Sequence, residues 1–102
     1  MQFKIEFKPT FRASLFEAES YLYKLSPRAS DNFYSDVTQK IEELRKLPFM
    51  YQTFDDDPYF RSIPLLYAYR LFYHVDEKQK CVFLAVILRG MMDLNEKLKA
   101  EK

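Results

Sequence analysis

The sequence predicts an α+β fold of order β-α-α-β-β-β, in which an N-terminal helical hairpin packs on a small, mainly antiparallel sheet. Three patterns carry that expectation. Phe3, Ile5 and Phe7 alternate with Lys4, Glu6 and Lys8, the period of two that marks a half-buried strand. From Phe11 to Leu44 the apolar residues instead recur at spacings of three and four, the period of a helix that buries one stripe. The stretch Leu66–Leu88 then holds two strand-length segments joined by five polar residues, Asp76–Lys80, which reads as a β-hairpin.

Composition bounds what such a fold can be. At 102 residues the chain is expected to form one domain, residues 1–102, with a single modest core. Hydrophobic residues make up 48% and aromatics 18%, too apolar for a disordered segment. Sixteen Lys+Arg against fifteen Asp+Glu leave a formal charge of +1, so no net field points to nucleic acid. The alternating N-terminus lacks the basic-then-apolar order of a signal peptide. The longest apolar run, Cys81–Leu88, is far too short to cross a bilayer. The expectation is a soluble cytoplasmic protein with no membrane partner. Its one cysteine, Cys81, lies inside that run and reads as a buried, inert thiol.

Each element then has its own signals. Pro9 ends the opening strand, and Thr10 is expected to cap the first helix. There Phe11, Leu15, Ala18, Leu22 and Leu25 form the apolar stripe. Ser26-Pro27 pairs a favoured cap with proline at the first helical position, so a second helix restarts there. Its stripe is Phe33, Val37, Ile41 and Leu44, and Pro48 ends it. In the loop 48–58, PFMYQTFDDDP, Phe49, Met50, Tyr51 and Phe54 either pin the loop to the core or meet a partner chain. Asp55, Asp56 and Asp57 lack the alternating ligand spacing and glycine of a calcium loop and read as a solvated acidic turn. Tyr59–Leu65 is a short strand, with Pro64 suited to its end or to an edge. In Leu66–Val75, Tyr67, Tyr69, Leu71, Tyr73 and Val75 share one face; Leu66, Ala68, Arg70, Phe72 and His74 share the other. The apolar run Cys81–Leu88 belongs inside the sheet. Residues 91–102 are either a short helix with Met91, Leu94 and Leu98 on one side or a tail that orders on binding.

Candidate chemistry narrows quickly. His74 is the only histidine, so no Cys/His metal set or His-based triad can be assembled, and with Gly90 the only glycine there is no phosphate loop. No metal and no cofactor is expected. His74 reads as a surface or packing residue. The arginines are more informative. A tight hairpin tip at Leu65-Leu66 sets Arg61 opposite Arg70, a like-charge pair that invites a phosphate or a partner's carboxylate. Arg89 either joins the pair or points away. The alternative is that each arginine pairs with a nearby acid such as Glu6, Asp57 or Asp76.

Several of these segments together, FKIEF, SYLYKLSPRAS, VTQKIEELRKLP, FRSI, YRLFYHVDE and VFLAVILRGMMD, resemble the RelE/ParE superfamily of bacterial type II toxin–antitoxin toxins. The helical half is more similar to the ParE branch. The resemblance covers nearly the whole chain and implies the same fold. It also implies the toxin of a plasmid-stabilisation module, held in a hetero-oligomer by a cognate antitoxin. ParE-like members poison DNA gyrase. RelE-like members cut messenger RNA on the ribosome with basic side chains and without metal. If this chain were such a ribonuclease, the resemblance would make Arg61, Arg70 and Arg89 its catalytic candidates. Arg70 matches the RelE catalytic arginine and Arg61 one strand lysine, while Ile63 stands at the other lysine position. Where many relatives carry His-Gly-Arg-Arg-Asp, this chain has Arg89, Gly90, Met91, Met92 and Asp93. Both arginines of that segment are methionine, which favours the gyrase reading; a third alternative is an inactive, non-toxic binding protein of the same fold. Candidates for antitoxin or target binding are Phe49, Tyr51, Phe54, Met91, Met92, Leu94 and Leu98.

Overall fold

A computed structural model of the chain describes residues 2–90 and 94–102. Strand β1 (Lys4–Phe7) leads into helices α1 (Pro9–Leu25) and α2 (Pro27–Lys46), then β2 (Thr53–Phe54), β3 (Asp57–Pro64), β4 (Tyr69–Asp76) and β5 (Cys81–Arg89), and a short helix α3 (Leu94–Lys99). The sheet order is β1-β5-β4-β3-β2. β1 runs parallel to β5, and the other pairings are antiparallel. The expected β-α-α-β-β-β order holds, with the two-residue strand β2 and the helix α3 added to it.

The two helices form because their stripes match the sheet. Phe11, Ala18 and Leu22 of α1, and Phe33, Val37, Ile41 and Leu44 of α2, are buried against Ile63, Leu71, Tyr73, Val82, Leu84 and Ile87. Leu25, expected on the α1 stripe, is 67% exposed, because the helix ends there and the chain turns away. Ser26 separates the helices as anticipated, its hydroxyl accepting from the Ala29 N–H at 3.3 Å. Thr10 is not the first cap. The helix already starts at Pro9, after Lys8, which makes no side-chain cap. Proline at the first position has no N–H to satisfy.

Thr10 and Ser14 do something else. β1 pairs with β5 only as far as Phe7 opposite Leu84, so the second half of β5 has an open edge. The Thr10 hydroxyl lies 2.9 Å from the Ala85 carbonyl and also within reach of the Glu101 carboxylate, its single proton serving one at a time. The Ser14 hydroxyl accepts from the Ile87 N–H at 2.9 Å and donates to the Phe11 carbonyl at 3.0 Å. Side chains of α1 thus take the place of a neighbouring strand and blunt an edge that would otherwise invite pairing.

The register of β4 against β5 shifts between Phe72 and Tyr73, so β5 carries one extra residue, a bulge at Ala85. The bulge reverses the alternation. Val82, Leu84 and Ile87 face the helices, whereas Ala85 and Val86 join Phe60, Phe72, Leu94 and Leu98 in a second cluster on the opposite face. That is why Cys81–Leu88 reads as unbroken apolar sequence. Helix α3 covers the second face, tethered by Lys8 Nζ to the Glu101 carbonyl at 2.6 Å and by Lys102 to Asp57 at 3.0 Å. Asp57 is therefore buried and paired. Only Asp55 and Asp56 form the solvated acidic turn.

The β3–β4 connection also departs from expectation. Leu66–Ala68 does not begin a strand; it is a single 3₁₀ turn. Tyr67 and Ala68 both adopt left-handed backbone, at φ 61° and 65°, although neither is glycine. Each such residue costs roughly 1–2 kcal/mol. The turn is held because the Leu66 N–H donates to Asp36 Oδ2 on α2 at 3.0 Å. Ala68→Gly should relieve strain at an exposed position and raise stability by about 0.5–1 kcal/mol, read as a higher denaturant midpoint at unchanged slope.

Candidate functional site

The three-residue turn displaces the strands relative to the tight hairpin expected from sequence. Arg61 stands opposite Tyr73, and Arg70 stands opposite Pro64. Directly opposed residues share a face, so Arg61 lies with Tyr73 on the helix side of the sheet and Arg70 with Phe72 on the other. The expected Arg61–Arg70 apposition is not formed. Arg89 pairs with Tyr69 and so falls on the helix side with Arg61. Their partners Tyr73 and Tyr69 are four residues apart on β4, about 13 Å along the strand. The sheet does not bring the three arginines together.

Each arginine has a different environment. Arg61 is half-buried and donates through Nη1 to the Tyr51 carbonyl at 2.7 Å, with its guanidinium 5.0 Å from the Phe49 ring. It fastens the loop after α2, as does Tyr73, whose hydroxyl donates to the Pro48 carbonyl at 2.9 Å. Burial pushes the Tyr73 phenol far above the usual tyrosine range, with Arg61 pulling in the opposite direction. Tyr73 is a structural donor. Arg89 is exposed, its guanidinium 5.8 Å from the Tyr21 ring and 5.7 Å from the Tyr69 ring. Burial raises the Tyr69 phenol, an effect that Arg89 opposes. The alternative pairing of the arginines with Glu6, Asp57 or Asp76 is not formed among the described residues. Among the described residues, the ion pairs are Lys8–Glu101, Lys40–Asp36, Arg45–Glu42 and Lys102–Asp57.

Of the three arginines, Arg70 is the one that borders open clefts. It donates through Nη1 to Ser62 Oγ at 2.9 Å. It sits between a cleft of about 420 Å³, lined by Tyr51, Phe54, Ser62 and Pro64 among others, and an apolar cleft of about 340 Å³ running past Pro64, Phe72 and Leu88 to Leu94. A cation half-buried beside apolar walls, steadied by one neutral hydroxyl, is suited to receive a carboxylate or phosphate. Ser62 was not anticipated. Only the true register, with Ser62 opposite Phe72 and next to Pro64, brings it beside Arg70.

The binding candidates divide as well. Phe49 is 42% exposed and lies edge-on to Phe3. Tyr51 packs on the helix-side core and Phe54 edge-on against Phe72. Leu94 and Leu98 are buried in the second cluster. Met91 and Met92 lie outside the described residues. His74 is a packing residue, stacked on Tyr59 at 4.0 Å. Cys81 is buried, and burial raises its thiol. Among the described residues, no group of three His, Cys, Asp or Glu could hold a metal ion, and no helix is long and apolar enough to cross a membrane.

The sequence profile of the ParE toxin of the type II toxin–antitoxin system parDE matches residues 5–93. The chain belongs to the ParE toxin family of type II toxin–antitoxin systems. The fold of this toxin is similar to that of solved relatives at low identity. The chromosomal ParDE system of Pseudomonas aeruginosa superposes with a TM-score of 0.72 at 14% identity, over 88% of this chain and 98% of that one. Escherichia coli RelE, a mutant in the free state, gives 0.62 at 19%, over 99% and 94%. The RelBE2 complex of Mycobacterium tuberculosis gives 0.61 at 20%, over 88% and 100%. No curated protein matches the sequence. The toxin therefore combines a ParE sequence with an architecture found in both branches of the superfamily.

Proposed function

We propose that this ParE toxin arrests growth by binding DNA gyrase, that it is not a ribonuclease, and that a cognate antitoxin neutralises it. The separation of Arg61, Arg70 and Arg89 onto two faces is the observation that carries the reading. Metal-free RNA cleavage needs several basic groups converging on one phosphate. Here Arg61 is committed to the loop carbonyl of Tyr51 and Arg89 to two tyrosine rings. A lone Arg70 can anchor an acidic side chain but supplies no proton donor and acceptor pair.

In this reading the antitoxin lies along the two clefts beside Arg70 and sets a carboxylate on the guanidinium. Tyr51 and Phe54 line the first of these clefts, while Phe49 lies against Arg61, away from them. The ParDE and RelBE relatives were solved as toxin–antitoxin systems or complexes, which supports a protein partner of this kind. Expression of the toxin alone should stop growth, co-expression of the adjacent antitoxin gene should restore it, and translated mRNA should stay intact throughout. Harmless overproduction without the antitoxin would refute toxicity. Cleavage of translated mRNA that disappears in Arg70→Ala would refute the gyrase reading and establish the ribonuclease one.

A further inference from the structure

The outer face of α1 carries a surface that neither the clefts nor the arginines account for. Phe16 is 72% exposed and Tyr23 61%. They flank Ser20 at spacings of four and three, so all three fall on one stripe, on the side away from the buried Phe11, Ala18 and Leu22. The two rings border a notch of about 410 Å³ that Glu19, Ser20, Lys24 and Ser30 also line. Two large aromatics set around a small residue on an exposed helix form an unsatisfied apolar patch. The patch is a knob and a hole together.

We propose that this face is the interface of a symmetric homodimer, with two α1 helices packed antiparallel about an axis near Ser20. A two-fold contact requires a surface complementary to itself, in which residue i meets j and j meets i. The α1 face meets that requirement in shape. Turned about Ser20, Phe16 of one copy enters the notch beside Tyr23 of the second, and the reverse contact forms simultaneously. It meets it in charge as well. Glu17 and Lys24 lie seven residues apart on the same flank of the stripe, both exposed. Neither is among the ion pairs of the described residues. In an antiparallel pair, like flanks face each other, so Glu17 approaches Lys24 of the second copy twice over. On the other flank Arg12 is held against the Phe7 ring at 5.0 Å. Glu19 lies beside the axis there, a like-charge approach the arrangement must absorb. This face is separate from the Arg70 clefts, so the inference does not depend on the choice of cellular target.

The test is the mass of the purified full-length toxin, without antitoxin, by light scattering and sedimentation across a concentration series. Wild type should move from 12.4 kDa toward twice that mass as concentration rises, and Phe16→Ser with Tyr23→Ser should remain at the monomer mass. Glu17→Lys or Lys24→Glu alone sets like charges opposite each other at both symmetric positions and should weaken association by about tenfold. The double exchange restores opposite charges and should recover it. Circular dichroism melts check that these solvent-exposed substitutions leave the fold intact. A wild type monomeric at every concentration would overturn the proposal. So would a dimer indifferent to the two serine substitutions, or a double exchange no better than the single ones. Loss of antitoxin affinity in Phe16→Ser, with wild type monomeric when alone, would assign the face to the antitoxin instead.

Discussion

Phe72→Ala is expected to remove about 3–5 kcal/mol from a total stability of about 5–15 kcal/mol, leaving the toxin close to unfolding at ambient temperature. Phe72 is fully buried. It is the β4 member of the cluster that seats α3, with Phe60, Val86, Leu94 and Leu98 around it and Phe54 edge-on at 5.2 Å. Truncation opens a cavity that a pleated strand cannot close by moving, because its other face is already filled by Leu71 and Tyr73. Denaturant unfolding checks this directly. As a reference, Gln39→Ala on the exposed face of α2 should fall within about 0.5 kcal/mol of wild type. Equal midpoints for the two variants would contradict the two-core arrangement.

Arg70→Ala is expected to behave in the opposite way, with a small effect on the fold and a large one on binding. The side chain makes one hydrogen bond, to the Ser62 hydroxyl, so stability should drop by only about 1 kcal/mol. If Arg70 receives a partner carboxylate in a desolvated cleft, its loss should weaken antitoxin affinity by about thirtyfold or more. Arg61→Ala should show the reverse ranking. It removes a charged hydrogen bond to the Tyr51 carbonyl and the contact with Phe49, which loosens the loop and costs stability while leaving the Arg70 face in place. Calorimetric titration with the antitoxin, alongside melts of both variants, separates the two roles. Identical behaviour of the two arginines would indicate that they work as one centre after all.

Much of the architecture was legible because burial imposes periodicity. Phe33, Val37, Ile41 and Leu44 are all buried, Ser26 caps α2, and Tyr69, Leu71 and Tyr73 face the helices together. What failed was register. The turn at Leu66–Ala68 contains no glycine, yet two of its residues take left-handed backbone, so no local signal marked its length. The resulting displacement of the strands put Arg61 and Arg70 on different faces. The bulge at Ala85 was equally hidden, because a run apolar on both faces looks the same with or without an extra residue. Thr10 shows a third kind of miss. Its type suits a cap, but its hydroxyl is taken by the open edge of β5, contributed by residues far away in sequence. The site inherited these errors. Its residue types could be named from sequence, whereas their grouping depended on a turn that the sequence does not advertise.

We propose that this ParE toxin, with its strand arginines apart, acts by binding gyrase and not by cutting RNA. The decisive measurement adds the purified toxin to two reactions at matched concentrations, DNA supercoiling by gyrase and translation of a defined mRNA. Supercoiling should be inhibited, and restored by antitoxin, with the translated mRNA intact. Unimpaired supercoiling together with cleavage of the translated mRNA would contradict it.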